Sequence, residues 1–192
     1  IFDDEACRAA SEQEIIRRYY KCLKDIKQFG HTKDDKFKLE LLMKQAGISV
    51  DKRKVVKVAL DREQDTGGPA MAIELNDGRI ITGKTSELLG ASASAIINSI
   101  KELAGIGHEV KLIAPEAIEP IQKLKTGYLG SRNPRLHSDE ILIALSTTAA
   151  RSEEAARTLD KLSELKGAEA HSSVIISAVD EQIFRKLGIN LT

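Results

Sequence analysis

Two cysteines, Cys7 and Cys22, are too few for a disulfide framework. A chain of 192 residues buries enough surface to fold without one. Tryptophan is missing and aromatics make up 4% of the chain. The stacking platforms of a single-strand nucleic-acid binder are therefore lacking. Neither charge is in surplus, because Lys+Arg and Asp+Glu both count 29. That balance argues against a dedicated binder of nucleic acid or of acidic membranes. No apolar run approaches the roughly 20 residues that span a bilayer. The chain opens Ile1-Phe2-Asp3-Asp4, with neither an initiator Met nor a signal-peptide pattern. An apolar pair running straight into a helix cap reads as the middle of a longer chain. Cysteine use and the lack of a signal suggest a reducing, cytoplasmic setting. What is present suits a globular core: 42% apolar and 30% charged residues.

The first third reads as helices. Asp3 or Asp4 caps one through about Lys27, with Ile16, Tyr19, Leu23 and Ile26 as a stripe and Gly30 as its end. Thr32 and Asp35 resemble a capping box for a second, with Leu39, Leu42, Met43 and Ala46 buried and Gly47 as its stop. Asp51 begins a third, bearing Val55, Val56, Ala59 and Leu60. Gly67-Gly68-Pro69 breaks the chain, which places a boundary between a helical segment, 1–66, and an α/β domain, 67–192. Ala70 to Leu75 and Arg79 to Thr82 flank Asn76-Asp77-Gly78 as a hairpin. Helices are expected from Ser92, Pro115, Ser138, Ser152 and Asp180, with Gly127 to Pro134 as a loop. Val110 to Ala114 and Val174-Ile175-Ile176 read as buried strands, and Ile189 to Leu191 as an edge strand. Strands alternating with helices predict a three-layer mixed-sheet α/β fold.

Several motifs could carry chemistry. Gly78 to Thr85 fits G-x-x-x-x-G-K-[ST], the pattern of a phosphate-cradling loop. Its middle, Arg79 to Thr82, is the best strand of the region, and a strand cannot also wrap a phosphate. The hairpin reading is preferred. Gly90-Ala-Ser92-Ala-Ser94 opens a helix with small residues, suited to close packing or to an anion at the free N–H groups. Hairpin, helix and buried strand in that order are similar to the cytidine deaminase-like arrangement. The zinc ligands of those enzymes are missing: there is no His or Cys followed by Ala-Glu at the helix start, and no Pro-Cys-x-x-Cys. The histidines His31, His108, His137 and His171 show no metal-ligand spacing, so no metal site is expected. His171-Ser172-Ser173, entering the last core strand, could line a crevice or simply lead a turn. Gly130-Ser131-Arg132-Asn133-Pro134 is a polar loop whose Arg132 could hold an anion. Arg17, Arg18, Lys21 and Lys24 read as a solvated helix face.

Taken together, these segments resemble the C-terminal part of a bacterial family known as domain of unknown function 1846, or uncharacterised protein family 0371. The resemblance rests on Gln13-Glu-Ile-Ile-Arg-Arg-Tyr-Tyr20, on the long stretch Ala72 to Leu89, and on Glu119-Pro-Ile121. It continues through Leu129-Gly-Ser-Arg-Asn-Pro134, Ile141 to Leu145, Ala170-His-Ser172, and Asp180-Glu-Gln182 with Arg185 to Ile189. It implies a longer cytoplasmic protein whose N-terminal part is similar to a nucleotide-binding α/β domain. It names no activity and no cofactor. It adds weight to Lys84, Thr85, Ser86, Ser131, Asn133, His171 and Ser172 as a site. The stretch Gln64 to Pro69 is shorter than the corresponding family linker.

Two functions fit. One is a ligand-binding and assembly module that packs on the missing N-terminal domain or on a second copy. In it, Lys84, Thr85, Ser86, Ser92, Ser94, Ser131, Arg132, Asn133 and Ser172 would hold a small anionic ligand, phosphorylated or nucleotide-like, without a metal. His171 would be the general base of any catalysis there. The other is a structural or oligomerisation domain without a ligand. Convergence of the polar motifs on one concave surface would separate them.

Overall fold

The computed structural model describes residues 3–30 and 33–192. Asp3 accepts the Ala6 N–H at 2.9 Å and so caps α1, Asp4–Phe29. Gly30, in the left-handed region at φ 67°, ends it as expected. The cap expected at Thr32 lies outside the described residues. Helix α2, Asp34–Ala46, packs back on α1 through a small cluster of Ile16, Met43 and Ile48. Of the inner face expected for α2, only Met43 is buried, while Leu42 is 44% exposed. The hairpin gives α2 one neighbour, so its remaining apolar positions face outward. The third helix starts later than expected. A 3₁₀ turn over Val50–Lys52 leads into α3, Lys54–Thr66, with Val55, Val56 and Ala59 buried.

Strands β1, Ala70–Glu74, and β2, Ile80–Lys84, form the expected antiparallel hairpin around Gly78 at φ 86°. Because Ile80–Lys84 is a strand, the Gly78–Thr85 pattern does not curl around a phosphate. Helices α4 (Ala91–Leu103), α5 (Pro115–Lys123), α6 (Ser138–Ala149) and α7 (Glu153–Asp160) follow. The chain then returns as β3, Glu169–Ser172, antiparallel to β1. Helix α8, Ala178–Lys186, leads to the short edge strand β4, Asn190–Leu191, parallel to β3. The sheet order is β2-β1-β3-β4, a mixed sheet as expected.

The structure corrects several local expectations. Val110 to Ala114 is not a strand; Lys101 holds this segment as irregular chain by donating to the carbonyls of His108 (3.0 Å) and Val110 (2.7 Å). Three helices therefore separate α4 from the next strand, and the cytidine deaminase-like order of hairpin, helix and strand is not reproduced. Val174 to Ile176 is loop, because the ladder ends at Ser173, which donates its N–H to Ala70 O at 3.0 Å. The expected loop at Gly127 is partly a π turn, Leu124–Tyr128, continuing α5. Two caps also shift by a few residues. His137 precedes α6 where Ser138 was expected, and Ser177 caps α8 in place of Asp180.

Pleat alternation sorts the strands onto two faces. Met71, Ile73 and Ala170 point to one core with Ile96, Ile100, Leu145 and Phe184. Gly83 belongs to this face, where an added Cβ would lie 2.2 Å from Ala95 N. Strand β2 and α4 thus touch backbone to backbone. On the other face Ala72 meets Val55 and Ala59 of α3. Helices on both sides make three layers. The Gly67–Pro69 break lies between α3 and β1, two elements that pack on each other.

Candidate functional site

The face of the sheet under α1 and α3 is polar toward its β3–β4 edge. Arg53, just before α3, is only 1% exposed, so all five of its N–H groups need acceptors. Nε donates to Thr192 Oγ1 at 3.0 Å. One terminal nitrogen donates to Ala170 O (2.8 Å) and Asn190 O (2.7 Å). The other donates to Gln13 Oε1 at 3.3 Å and pairs with Glu169. Glu169 also accepts from Arg17 of α1 at 2.9 Å. A single guanidinium thereby ties α1, β3 and β4 together. Arg17 and Lys24, read above as a solvated face, belong partly to this seam, since Lys24 reaches Glu181 of α8 at 2.5 Å.

His171 lies beside this seam. It is 5% exposed, and the Tyr20 ring of α1 crosses it edge-on at 4.8 Å. Its Nδ1 is 2.9 Å from Thr192 Oγ1. That hydroxyl donates to Ala170 O (3.1 Å) and already accepts from Arg53, so it can only accept from the imidazole. Nδ1 therefore carries the proton and Nε2 a lone pair. Burial, reinforced by the Arg53 charge, lowers the His171 pKa from 6.5 to about 4.

These side chains border a cavity of about 430 Å³ at the carboxyl end of β3. Tyr20, Lys21 and Lys27 of α1 form one wall, and Leu60 of α3 contributes another. His171, Ser172 and the Val174–Ile176 loop close the far side. The interior is mainly apolar and the α1 rim is basic. Size and lining suit a small molecule with an apolar body and an anionic group.

The other expected ligand residues lie elsewhere. Lys84 is exposed at the end of β2, and since Gly83 faces α4, Lys84 faces the opposite way. Thr85 donates its N–H to Pro69 O at 2.9 Å. Ser86 Oγ accepts the N–H groups of Leu88 (3.3 Å) and Leu89 (3.0 Å), as a turn serine does. Ser92 and Ser94 sit in the first turn of α4, after the N-cap Gly90. Ser131 and Asn133 bond within their own turn, and Arg132 is exposed. Arg135 joins that loop to Ser86 O at 2.7 Å. The structure thus brings His171 to Ser172, and Ser86 to the 131–135 loop, but not the two groups to each other at the cavity.

Sequence reading missed Arg53, Glu169, Tyr20, Asp180 and the role of His137. Asp180 is buried and accepts from Ser138 N (2.8 Å), Ser138 Oγ (2.6 Å), His137 Nδ1 (2.9 Å) and Ser177 Oγ (2.7 Å). Burial alone would raise its pKa; these hydrogen bonds outweigh it and hold the carboxyl below its usual range. No local pattern signals either network. Arg53 sits in the charged run Asp51-Lys52-Arg53-Lys54, which reads as surface.

Comparison with known proteins divides the chain along the same seam. The family model "Domain of unknown function DUF1846, C-terminal" matches residues 51–192, and its N-terminal counterpart matches residues 1–47. The chain is 55% identical over its whole length to a UPF0371 protein of Corynebacterium glutamicum. It is 54% identical to UPF0371 proteins of Corynebacterium efficiens and Streptococcus thermophilus. It spans 39% of the length of each of these relatives.

Proposed function

The chain belongs to the DUF1846 family, and from that premise we propose that it is a ligand-binding and assembly module of a longer protein. The observation that carries this reading is the position of the cavity. Its α1 wall comes from the segment matched by the N-terminal family model, and its sheet-end wall from the segment matched by the C-terminal one. Cavities at such junctions are where small molecules commonly bind. The ligand is a small anionic molecule, phosphorylated or nucleotide-like, whose apolar part rests on Leu60 and Ile175. Lys21 and Lys27, which have no ion-pair partner among the described residues, hold its charge. Nε2 of His171 accepts a hydrogen bond from it. With its pKa at about 4, His171 is neutral at pH 7 and orients the ligand better than it removes a proton.

Assembly has its own support. Phe37, Leu41 and Leu42 of α2 are 68, 46 and 44% exposed, an apolar face that a neighbour would cover. The remainder of the longer protein is the neighbour this reading assigns.

The ligand reading is tested by titrating the full-length protein with a panel of phosphorylated metabolites and following heat. Binding that weakens about tenfold or more when Lys21 and Lys27 are both changed to Glu supports it, since charge-assisted contacts are worth that much. Binding indifferent to both lysines and to Leu60→Trp overturns it.

A further inference from the structure

Three helices begin at one corner of the fold. Leu89 and Leu136 pair as a parallel bridge, so the chain enters α4 and α6 side by side. Leu136 N–H donates to Leu88 O at 2.9 Å and Gly90 N–H to Leu136 O at 3.2 Å. The third helix, α8, joins through Asp180, which accepts the first N–H of α6. Ser177 in turn caps α8. Helix α4 has only Gly90 at its N-cap, which offers no side chain.

The N–H groups of Ala91, Ser92 and Ala93 therefore have no partner among the described residues. Yet these residues are only 7, 4 and 0% exposed. A buried helix start normally finds acceptors for its free N–H groups. A second, separate vacancy lies beside them. The Ser92 hydroxyl makes no hydrogen bond among the described residues, although the residue is 4% exposed. Its Oγ, unlike that of Ser99, is not sealed from solvent. Side chains on a helix tilt toward its N-terminus, and Ser92 is the second residue of α4.

His137 follows Leu136, whose carbonyl accepts from Gly90 N–H, so the chain brings a third polar group to this corner. Asp180 is a carboxylate and can only accept, so His137 Nδ1, at 2.9 Å, carries the proton. Nε2 is the ring nitrogen left outside that bond, on a side chain 30% exposed.

We propose that this corner binds a phosphate group, with the free N–H groups of α4 and the Ser92 hydroxyl donating to its oxygens and His137 Nε2 making a further hydrogen bond to it. Helix N-termini favour phosphate both by their free donors and by their dipole. Asp180 is a positioning residue, fixing the orientation of the imidazole. Neither Ser92 nor His137 lines the cavity beside His171, so the assignment stands apart from the reading above.

The test is thermal unfolding of the full-length protein, at fixed ionic strength, with inorganic phosphate and with ribose 5-phosphate. The informative variant is Gly90→Asp. Gly90 has an ordinary φ of −70°, and an added Cβ would find nothing nearer than Leu136 O at 3.8 Å. The new carboxylate would cap α4 and occupy the site, so the variant melts at or above the wild-type temperature. We expect stabilisation of the wild type by phosphate, about tenfold weaker binding in Ser92→Ala and in His137→Asn, and none in Gly90→Asp. A stronger response to the sugar phosphate makes the group part of a larger ligand, and an equal one makes phosphate itself the ligand. Phosphate stabilisation that survives in Gly90→Asp, or a wild type that responds to neither compound, overturns the proposal. His171→Gln, altered at the other cavity, should respond like the wild type.

Discussion

On one face of the sheet Met71, Ile73 and Ala170 meet Ile96 and Ile100 in a core of apolar side chains. On the other face the same strands offer Glu169 and His171, and α1 is held by Arg53, Arg17 and Lys24. The first face gains its stability from burial, which is tolerant of detail. The second depends on complete pairing, because a buried charge without a partner is strongly unfavourable. The difference teaches where to look for function. The apolar face makes the domain, and the polar face leaves an open cavity and a basic rim.

The largest test of that contrast is Arg53→Ala. It leaves Glu169 with Arg17 and Asn190 alone and takes the donor from acceptors on α1, β3 and β4, and we expect a loss of about 3–5 kcal/mol in denaturant unfolding. Amide exchange in α1 should rise well before exchange in α4. Uniform loosening of both helices would break the comparison.

Next is the pH dependence from His171. Its folded pKa, about 4, lies below the ordinary 6.5, so the unfolded chain binds more protons between those values. Stability contributed by neutral His171 is fully present above pH 6.5 and is lost as pH falls toward 4, by about 3 kcal/mol in all. Asp180, whose folded pKa lies below 3.8, loses its contribution only at lower pH. Subtracting the pH–stability curve of His171→Gln from that of the wild type isolates the histidine. Parallel curves between pH 7 and 4 would place His171 outside the buried seam.

The apolar face is sharpened by Gly83→Ala. The new methyl would lie 2.2 Å from Ala95 N, so β2 and α4 must separate. Overpacking of this kind costs about 1–3 kcal/mol, read as a lower midpoint in urea. A neutral result would mean that the two backbones are less closely seated than described. The smallest effect belongs to the exposed pair Lys57–Asp61, one turn apart on α3. Lys57→Ala should change stability by less than about 0.5 kcal/mol, and a larger loss would show that exposed charges also carry weight on this face.

What the sequence discloses follows the range of the interaction. The Asp3 and Ser152 caps, the Gly30 stop and the Asp77-Gly78 hairpin are local, and each stands where its residues imply. The runs Val110 to Ala114 and Val174 to Ile176 mislead for a related reason. Their β-branched residues suit a strand, but a strand also needs a partner to pair with, and among the described residues neither run joins the ladder. His171 and Ser172 announce themselves as a polar pair at a strand end and do line the cavity. Arg53 is invisible beforehand, because its partners Gln13, Glu169 and Asn190 are 40, 116 and 137 residues away. His137 looks like a surface histidine until Asp180, 43 residues on, is seen beside it.

The central claim is that the cavity between α1 and the sheet end holds a small anionic ligand. Native mass spectrometry of the full-length protein, purified gently from its own source, tests it most directly. The account predicts a stoichiometric small-molecule adduct on the wild type that disappears when Leu60→Trp fills the cavity. A bare polypeptide mass, or an adduct that Leu60→Trp leaves in place, would contradict it.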